Sequence, residues 1–362
     1  MRLARPATIA GLLYAALPQF ATAQNTGPDA TVVTPPRTVA QAAPEAPRTL
    51  RVVLLLPLDS AMLKRAAITV RDGANAVFAS RKAEVTVSEC SYGADSANSV
   101  AIAYARCVDA NVDWVIGPLG RSDVTALALA KLPTLRPTLM LSPLGTTPPV
   151  PLAVLAPDLE SEAEAIAQQA TEDACRKPLL AEAGGSLASR VAVAISGYWR
   201  ERVASPLQQA SIGPRDTWRR AAEGWRRDNI DCVLFAGGGS VLSELRPYLR
   251  GMVIYATSAS YEAPLDRTLD WTGVRIADAP WLVDSDRAEF TPLAPAEPLS
   301  PTLARLYALG IDAARLVLSA GRNDLPTSFA GAIGQLTLRD AQYRRQPMIG
   351  EFRERALVKV GP

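Results

Sequence analysis

VVLLLPLDS (residues 52–60), WVIGPLGRS (114–122) and PTLMLSPLGTT (137–147) share one plan: a short Val, Ile and Leu run, a Pro-Leu pair, then small hydroxyl or glycine residues. Runs that are apolar on both faces are expected of parallel strands covered by helices on each side. Proline donates no backbone hydrogen bond and is tolerated where a ladder stops, so Pro57, Pro118 and Pro143 mark three strand ends. Parallel strands deliver those ends to one edge of a sheet, where open α/β sheets bind ligands.

Outward from these strands the helical and strand periods alternate. Leu63, Ala67, Val70, Ala74, Val77 and Phe78 follow the helical period, with Asp59 or Ser60 as the expected cap. EVTVSEC (84–90) then reads as a strand, and Val100, Ala103, Tyr104 and Cys107 share one helical face. This βαβαβαβ order predicts a doubly wound α/β lobe with a parallel sheet. The pattern restarts with helices over 161–174, 187–203 and 217–227 and strands over 178–182, 207–212 and 232–239. VIYATSAS (253–260) reads as the return of the chain to the first lobe. The expected lobes are therefore 50–151 with 252–334, and 152–251 with 335–362, joined by several crossings around a hinged cleft.

Before the first strand, Arg2 and Arg5 precede an apolar segment that ends in Ala21-Thr22-Ala23. This reads as a signal peptide over 1–23, leaving a periplasmic protein that starts at Gln24 and is not a lipoprotein, since no cysteine stands at the cleavage site. Residues 24–49, with Pro28, Pro35, Pro36, Pro44 and Pro47, read as a disordered linker.

Composition excludes several functions. The 362 residues are 48% hydrophobic and 20% charged with a net charge of +2, which gives no field to recruit nucleic acid or anionic lipid. There is no histidine, so Ser-His-Asp triads, Cys-His pairs and histidine-bearing zinc sites are absent. Lys64, Lys82, Lys131, Lys177 and Lys359 lie away from the expected strand ends, so a Ser-Lys enzyme is disfavoured as well. No catalytic residue, metal or cofactor is expected.

Cys90, Cys107, Cys175 and Cys232 contain no CxxC pair. In an exported chain an even count is expected to form disulfides. Cys90 closes a strand and Cys107 sits on the inward face of the next helix, so these two should pair, and Cys175 with Cys232 inside the second lobe. Four buried thiols are the alternative.

WRRAAEGWRR (218–227) places Trp218 and Trp225 on one helical face; packing of both tryptophans on a sheet, with the arginines reaching to solvent, is favoured over a docking patch. AGGGS (236–240) lacks the lysine and spacing of a phosphate loop and reads as a strand-end turn.

The stretches VVLLLPLDS, VRDG (70–73), VDWVIGPL (112–119), VIYATSASY (253–261), GVRIADAPW (273–281), RLYALGIDAARL (305–316) and GAIGQLTL (331–338) together resemble the type I periplasmic binding protein fold. Within it they are similar to the C-terminal domain of the penicillin-binding-protein activators. That resemblance implies a non-enzymatic periplasmic protein that binds a bifunctional peptidoglycan synthase and regulates peptidoglycan synthesis by contact; members of that family are typically outer-membrane lipoproteins, whereas no direct membrane anchor is expected here, because no cysteine stands at the cleavage site. The rival reading is a solute-binding protein of an ABC transporter. LSPLGTT resembles amino-acid binders of this fold, with Ser142 and Thr146 where a ligand carboxylate is held. Those binders also need an acid for the ligand's ammonium group, and here Ser258, Ala259 and Ser260 precede the first acid, Glu262. A neutral or anionic small ligand is therefore expected of that reading. Ser60, Ser122, Ser142, Thr146 and Ser258 are the candidate ligand-binding residues, with helix capping as their alternative role.

Overall fold

The computed structural model describes residues 49–93, 99–203, 205–262, 271–354 and 356–360. The expected signal peptide and linker lie outside the described residues, apart from Thr49 at the linker's end.

The chain begins with β1 (Leu50–Leu56), α1 (Lys64–Ala79), β2 (Val85–Ser91), α2 (Ser99–Cys107), β3 (Trp114–Ile116), α3 (Arg121–Leu129), β4 (Thr138–Met140) and β5 (Leu152–Val154). It continues through α4 (Leu159–Glu172), β6 (Pro178–Glu182), α5 (Ser186–Arg202), β7 (Gln208–Ser211), α6 (Trp218–Arg227), β8 (Cys232–Ala236), α7 (Gly239–Leu245), β9 (Val253–Thr257) and β10 (Val274–Asp278). It ends with α8 (Pro280–Val283), α9 (Pro301–Ala320), β11 (Ser328–Ala330), β12 (Gln335–Arg339), β13 (Gln342–Gln346), β14 (Met348–Arg353) and β15 (Ala356–Lys359).

Two sheets result, in the orders β11-β12-β13-β5-β4-β3-β1-β2 and β15-β14-β10-β9-β8-β6-β7. Strands β1 to β5 run parallel in the first sheet, and β6 to β10 run parallel in the second. Both sheets are covered on both faces. In β1, Val52, Leu54 and Leu56 pack with α1 and α9, while Val53 and Leu55 pack with Val100 and Tyr104 of α2. In the second sheet, Val233 and Phe235 of β8 pack with Trp218 and Trp225 of α6, and Leu234 packs with α4 and α5. The tryptophans of α6 are thus buried in the sheet, and its arginines lie outside that core.

Helices α1 and α9 approach one another closely. A Cβ on Gly73 would stand 2.1 Å from the Tyr307 carbonyl oxygen, and one on Gly310 would stand 2.0 Å from that of Val70. Glycine is required at both positions because backbone meets backbone there. The VRDG and RLYALGIDA stretches meet at this contact.

Two sequence expectations are corrected. VIYATSAS does not return to the first lobe: β9 pairs with β8 and β10 at the centre of the second sheet. Conversely, residues 335–346 form β12 and β13 of the first sheet, with Gln342 paired to Val154. The expected lobe boundaries shift accordingly. The chain passes between lobes three times, between β5 and α4, between β10 and α9, and between β13 and β14.

Both disulfides join the expected partners, Cys90 with Cys107 and Cys175 with Cys232, at Cα separations of 6.1 and 6.0 Å. Each lies within one lobe and leaves the crossings untouched.

Candidate functional site

Strand polarity places the ends of β1, β3 and β4 on one edge of the first sheet, and the residues after them hold four of the five candidate hydroxyls. Ser60 is buried beyond β1; its hydroxyl accepts the Leu63 N–H at 3.2 Å and its carbonyl accepts the Lys64 N–H at 2.9 Å, so it closes the turn that leads into α1. Ser142 follows β4 and donates its hydroxyl to the Leu119 carbonyl, tying the β3 and β4 ends together. Ser122 is exposed in the first turn of α3, its hydroxyl 3.5 Å from the Asp123 carboxylate. Thr146 is exposed, and its carbonyl accepts the Gln342 side-chain amide at 3.1 Å.

Ser258 stands apart from these four, at the end of β9 in the second sheet. It is buried, and its N–H donates to Glu162 at 2.8 Å. The structure therefore divides the five candidates between the edges of two sheets.

Between the lobes lies a cavity of about 610 Å³, lined from the first lobe by Arg121, Thr125, Leu144 and Gly145 and from the second by Glu160 and Arg190. Arg190 and Glu160 form an ion pair of 2.6 Å across α5 and α4. Of the five candidates, Ser122, Ser142 and Thr146 flank residues that line this cavity, and none of the five lines it. At the edge of the second sheet a cavity of about 240 Å³ is lined by Gly184, Gly185, Ser186, Gly237, Ala259 and Glu262. The carboxylate at that edge is Glu262, four residues beyond Ser258.

Beside the first edge, buried Asp123 accepts the Tyr92 hydroxyl at 2.9 Å. Burial, reinforced by that carboxylate, pushes the Tyr92 hydroxyl well above the usual tyrosine range. Tyr92 therefore serves as a donor that orients Asp123.

Among the described residues, two buried ion pairs are found at the crossings. Glu162, in the first turns of α4, pairs with Arg345 of β13. Asp278, the last residue of β10, pairs with Arg305 of α9 at 2.6 Å. The Glu162, Asp278 and Arg345 side chains are 0–2% exposed and that of Arg305 is 13% exposed. Burial pushes the Glu162 carboxyl up, Arg345 opposes that rise and Asp278 adds to it. Sequence reasoning missed these four residues. Its only signal was that Asp278 lies in GVRIADAPW and Arg305 opens RLYALGIDAARL. The same stretches supply Asp312, a buried carboxylate that accepts the Ala332 and Ile333 N–H groups of GAIGQLTL at 2.7 and 2.8 Å.

The family model described as LppC putative lipoprotein matches residues 12–212 and 218–329. That description gives no support to the expectation that the protein carries no lipid. A penicillin-binding protein activator LpoA of Haemophilus influenzae is 26% identical over 288 residues, covering 73% of this chain and 46% of the relative. The LpoA of Vibrio antiquarius is 25% identical over 312 residues, covering 50% of that relative. The chain spans about half the length of the curated relatives it matches. Among solved structures, a putative branched-chain amino acid ABC transporter protein of Chromobacterium violaceum superposes with a TM-score of 0.71 at 28% identity, covering 84% of this chain and all of that one. The C-domain of Haemophilus influenzae LpoA, a regulator of PBP1A, superposes with a TM-score of 0.69 at 22% identity, covering 86% of this chain and all of the domain. The two-lobed type I periplasmic-binding-protein-like fold is common to this chain and both solved structures.

Proposed function

Because the chain belongs to the LppC putative lipoprotein family, we propose that it is a non-enzymatic protein of the cell envelope that binds a bifunctional penicillin-binding protein and stimulates it by contact. The observation that carries this reading is the match of this chain to two relatives that are both penicillin-binding protein activators. The partner is a peptidoglycan synthase working in the periplasm, and the protein acts on that side of the membrane. A chain without histidine has no imidazole to serve as general base, so its serines are read as binding or capping groups. The protein purified without its leader, mixed with the synthase of its own organism, is expected to raise the rate of glycan polymerisation or crosslinking. Absence of any binding to that synthase would overturn the reading.

A second reading, a solute-binding protein, is favoured by the 28% identical transporter protein and by the cavity of about 610 Å³ between the lobes. In that reading Arg121 and Arg190, which line the cavity, are able to meet a ligand's negative charge, with Ser142 and Thr146 next to its lining. Calorimetric titration with small anionic and zwitterionic solutes decides between the two, since tight uptake of a solute without synthase binding supports the second.

A further inference from the structure

Each lobe crossing carries a buried charge within a few residues of the point where the chain changes sheet. Glu162 follows the passage from β5 to α4. Asp278 precedes, and Arg305 follows, the passage from β10 to α9. Arg345 precedes the passage from β13 to β14. Both ion pairs run from one lobe to the other: Glu162 on the second sheet's helix meets Arg345 on the first sheet, and Asp278 of the second sheet meets Arg305 on the first lobe's helix.

The backbone is tied into the same lattice. Arg345 donates to the Asp158 carbonyl at 3.0 Å, on the first crossing, and to the Ile333 carbonyl at 3.3 Å. Arg305 donates to the Tyr261 carbonyl at 2.9 Å, and Asp278 accepts the Ala279 N–H at 2.7 Å on the second crossing. Glu162 holds the Ser258 N–H at 2.8 Å, and the Trp281 N–H donates to the Ala332 carbonyl at 3.0 Å. A hinge bends freely when its strands absorb the rotation in a few backbone dihedrals. Here any rotation has to separate guanidinium from carboxylate where little water can replace the partner.

We propose that these four charges form a latch that holds the two lobes at a single angle in the free protein. The clam-like hinge expected from the sequence is then locked, and the surface offered to a partner is a fixed one spanning both lobes. This goes beyond the activator reading and does not depend on it, because the latch is a property of the isolated chain.

The test measures the interlobe distance. The four native cysteines are paired, so spin labels can be attached at Met62→Cys and Leu187→Cys, two exposed positions beyond β1 and β6. In the labelled full chain, pulsed electron resonance is expected to return one narrow distance, with any open form on the order of 1% or less. Arg345→Met in the same background is expected to raise a second distance population at least about tenfold. Arg345→Lys, which keeps the charge and loses the planar fork, is measured alongside, and near-UV dichroism confirms that each variant is folded. The lysine variant gives an intermediate broadening and alone decides the matter if the methionine variant does not fold. A broad or two-peaked distribution in the parent overturns the latch. So does an unchanged narrow peak in every variant that folds.

Discussion

Ser60, Ser122, Ser142 and Thr146 at the first sheet's edge are small and uncharged, and they satisfy their hydroxyls or carbonyls within their own lobe. Glu162, Asp278, Arg305 and Arg345 at the crossings are charged and buried or nearly so, and each pairs with a residue of the other lobe. The difference separates two kinds of sequence signal. A hydroxyl at a strand end is replaceable, because water or a cap takes over its hydrogen bond. A buried charge is not, because its partner is left unpaired in a poorly solvated place. GVRIADAPW, RLYALGIDAARL and GAIGQLTL, three of the stretches that carry the resemblance to the activators, contribute to the second region, so what they encode first is how the lobes are joined.

The largest expected effect tests that contrast directly. Arg345→Met leaves Glu162 buried without its partner and is expected to lower the unfolding free energy by about 3–5 kcal/mol in a urea titration. The paired change Glu162→Leu with Arg345→Met is expected to recover most of that loss, because buried ion pairs exchange for apolar pairs at little net cost. An equal loss in the double variant would show that the pair itself, rather than the orphaned charge, supplies the stability.

The second prediction uses pH. Burial raises the Asp312 carboxyl to about 6, against the opposing pull of the Ala332 and Ile333 N–H groups. Between the ordinary aspartate value and about 6, the folded protein therefore holds a proton that the unfolded chain has released. Stability relative to Asp312→Asn is expected to be highest below about pH 4, to fall as pH rises to about 6 and to level off above. The total fall is about 3 kcal/mol for a shift of about two units. Urea midpoints of both proteins at pH 4, 5, 6 and 7 check the sign. A difference that grows with pH would place the carboxylate, and not the acid, as the form favoured by the fold.

How much of this was legible follows from where each signal resides. The strand ends at Pro57, Pro118 and Pro143 and the helical face of Val100, Ala103 and Tyr104 are local patterns, and the structure has them as read. The Cys90–Cys107 pair was legible because a crossover folds back on its own strand, and the Cys175–Cys232 pair because both residues fall in the second lobe. The membership of β9 was not, because VIYAT is apolar on both faces and would suit the centre of either sheet; pairing of Cys232 with Val253 decides it. β12 and β13 were misplaced because QLTLR and QYRRQ carry too few apolar residues to announce a sheet. Glu162 hid among Glu160 and Glu164, which its helix sends to the surface, so only the arrival of Arg345 from 183 residues away distinguishes it.

A third prediction separates staples within a lobe from ties between lobes. The Cys90–Cys107 bridge closes a loop of 17 residues, and its removal by paired serine substitution is expected to cost about 3 kcal/mol on the chain-entropy model. Because the bridge lies wholly in the first lobe, the interlobe distance reported by labels at positions 62 and 187 should stay narrow. A second distance appearing in this variant would mean that the lobe's internal rigidity, and not the crossing charges alone, sets the angle.

The smallest effect belongs to the cleft. Ser60 has its hydroxyl committed to the Leu63 N–H and its own carbonyl to Lys64, and both bonds close the turn that leads into α1. Ser60→Ala is therefore expected to cost about 1 kcal/mol, the ordinary worth of a helix cap, and to leave synthase binding unchanged. Ser142→Ala loses the tie to the Leu119 carbonyl and should cost a similar amount. If either substitution instead weakened a titrated small solute tenfold while leaving the urea midpoint in place, the hydroxyl would be contacting a ligand. The first sheet's edge would then be a binding surface and not only a row of caps. Thr146 supplies the control, since its exposed side chain carries no such structural bond, and Thr146→Val should leave stability within about 0.5 kcal/mol of the parent. A loss of solute binding at Thr146 and Ser142 together, with stability held, would move functional weight from the crossings back to the cleft.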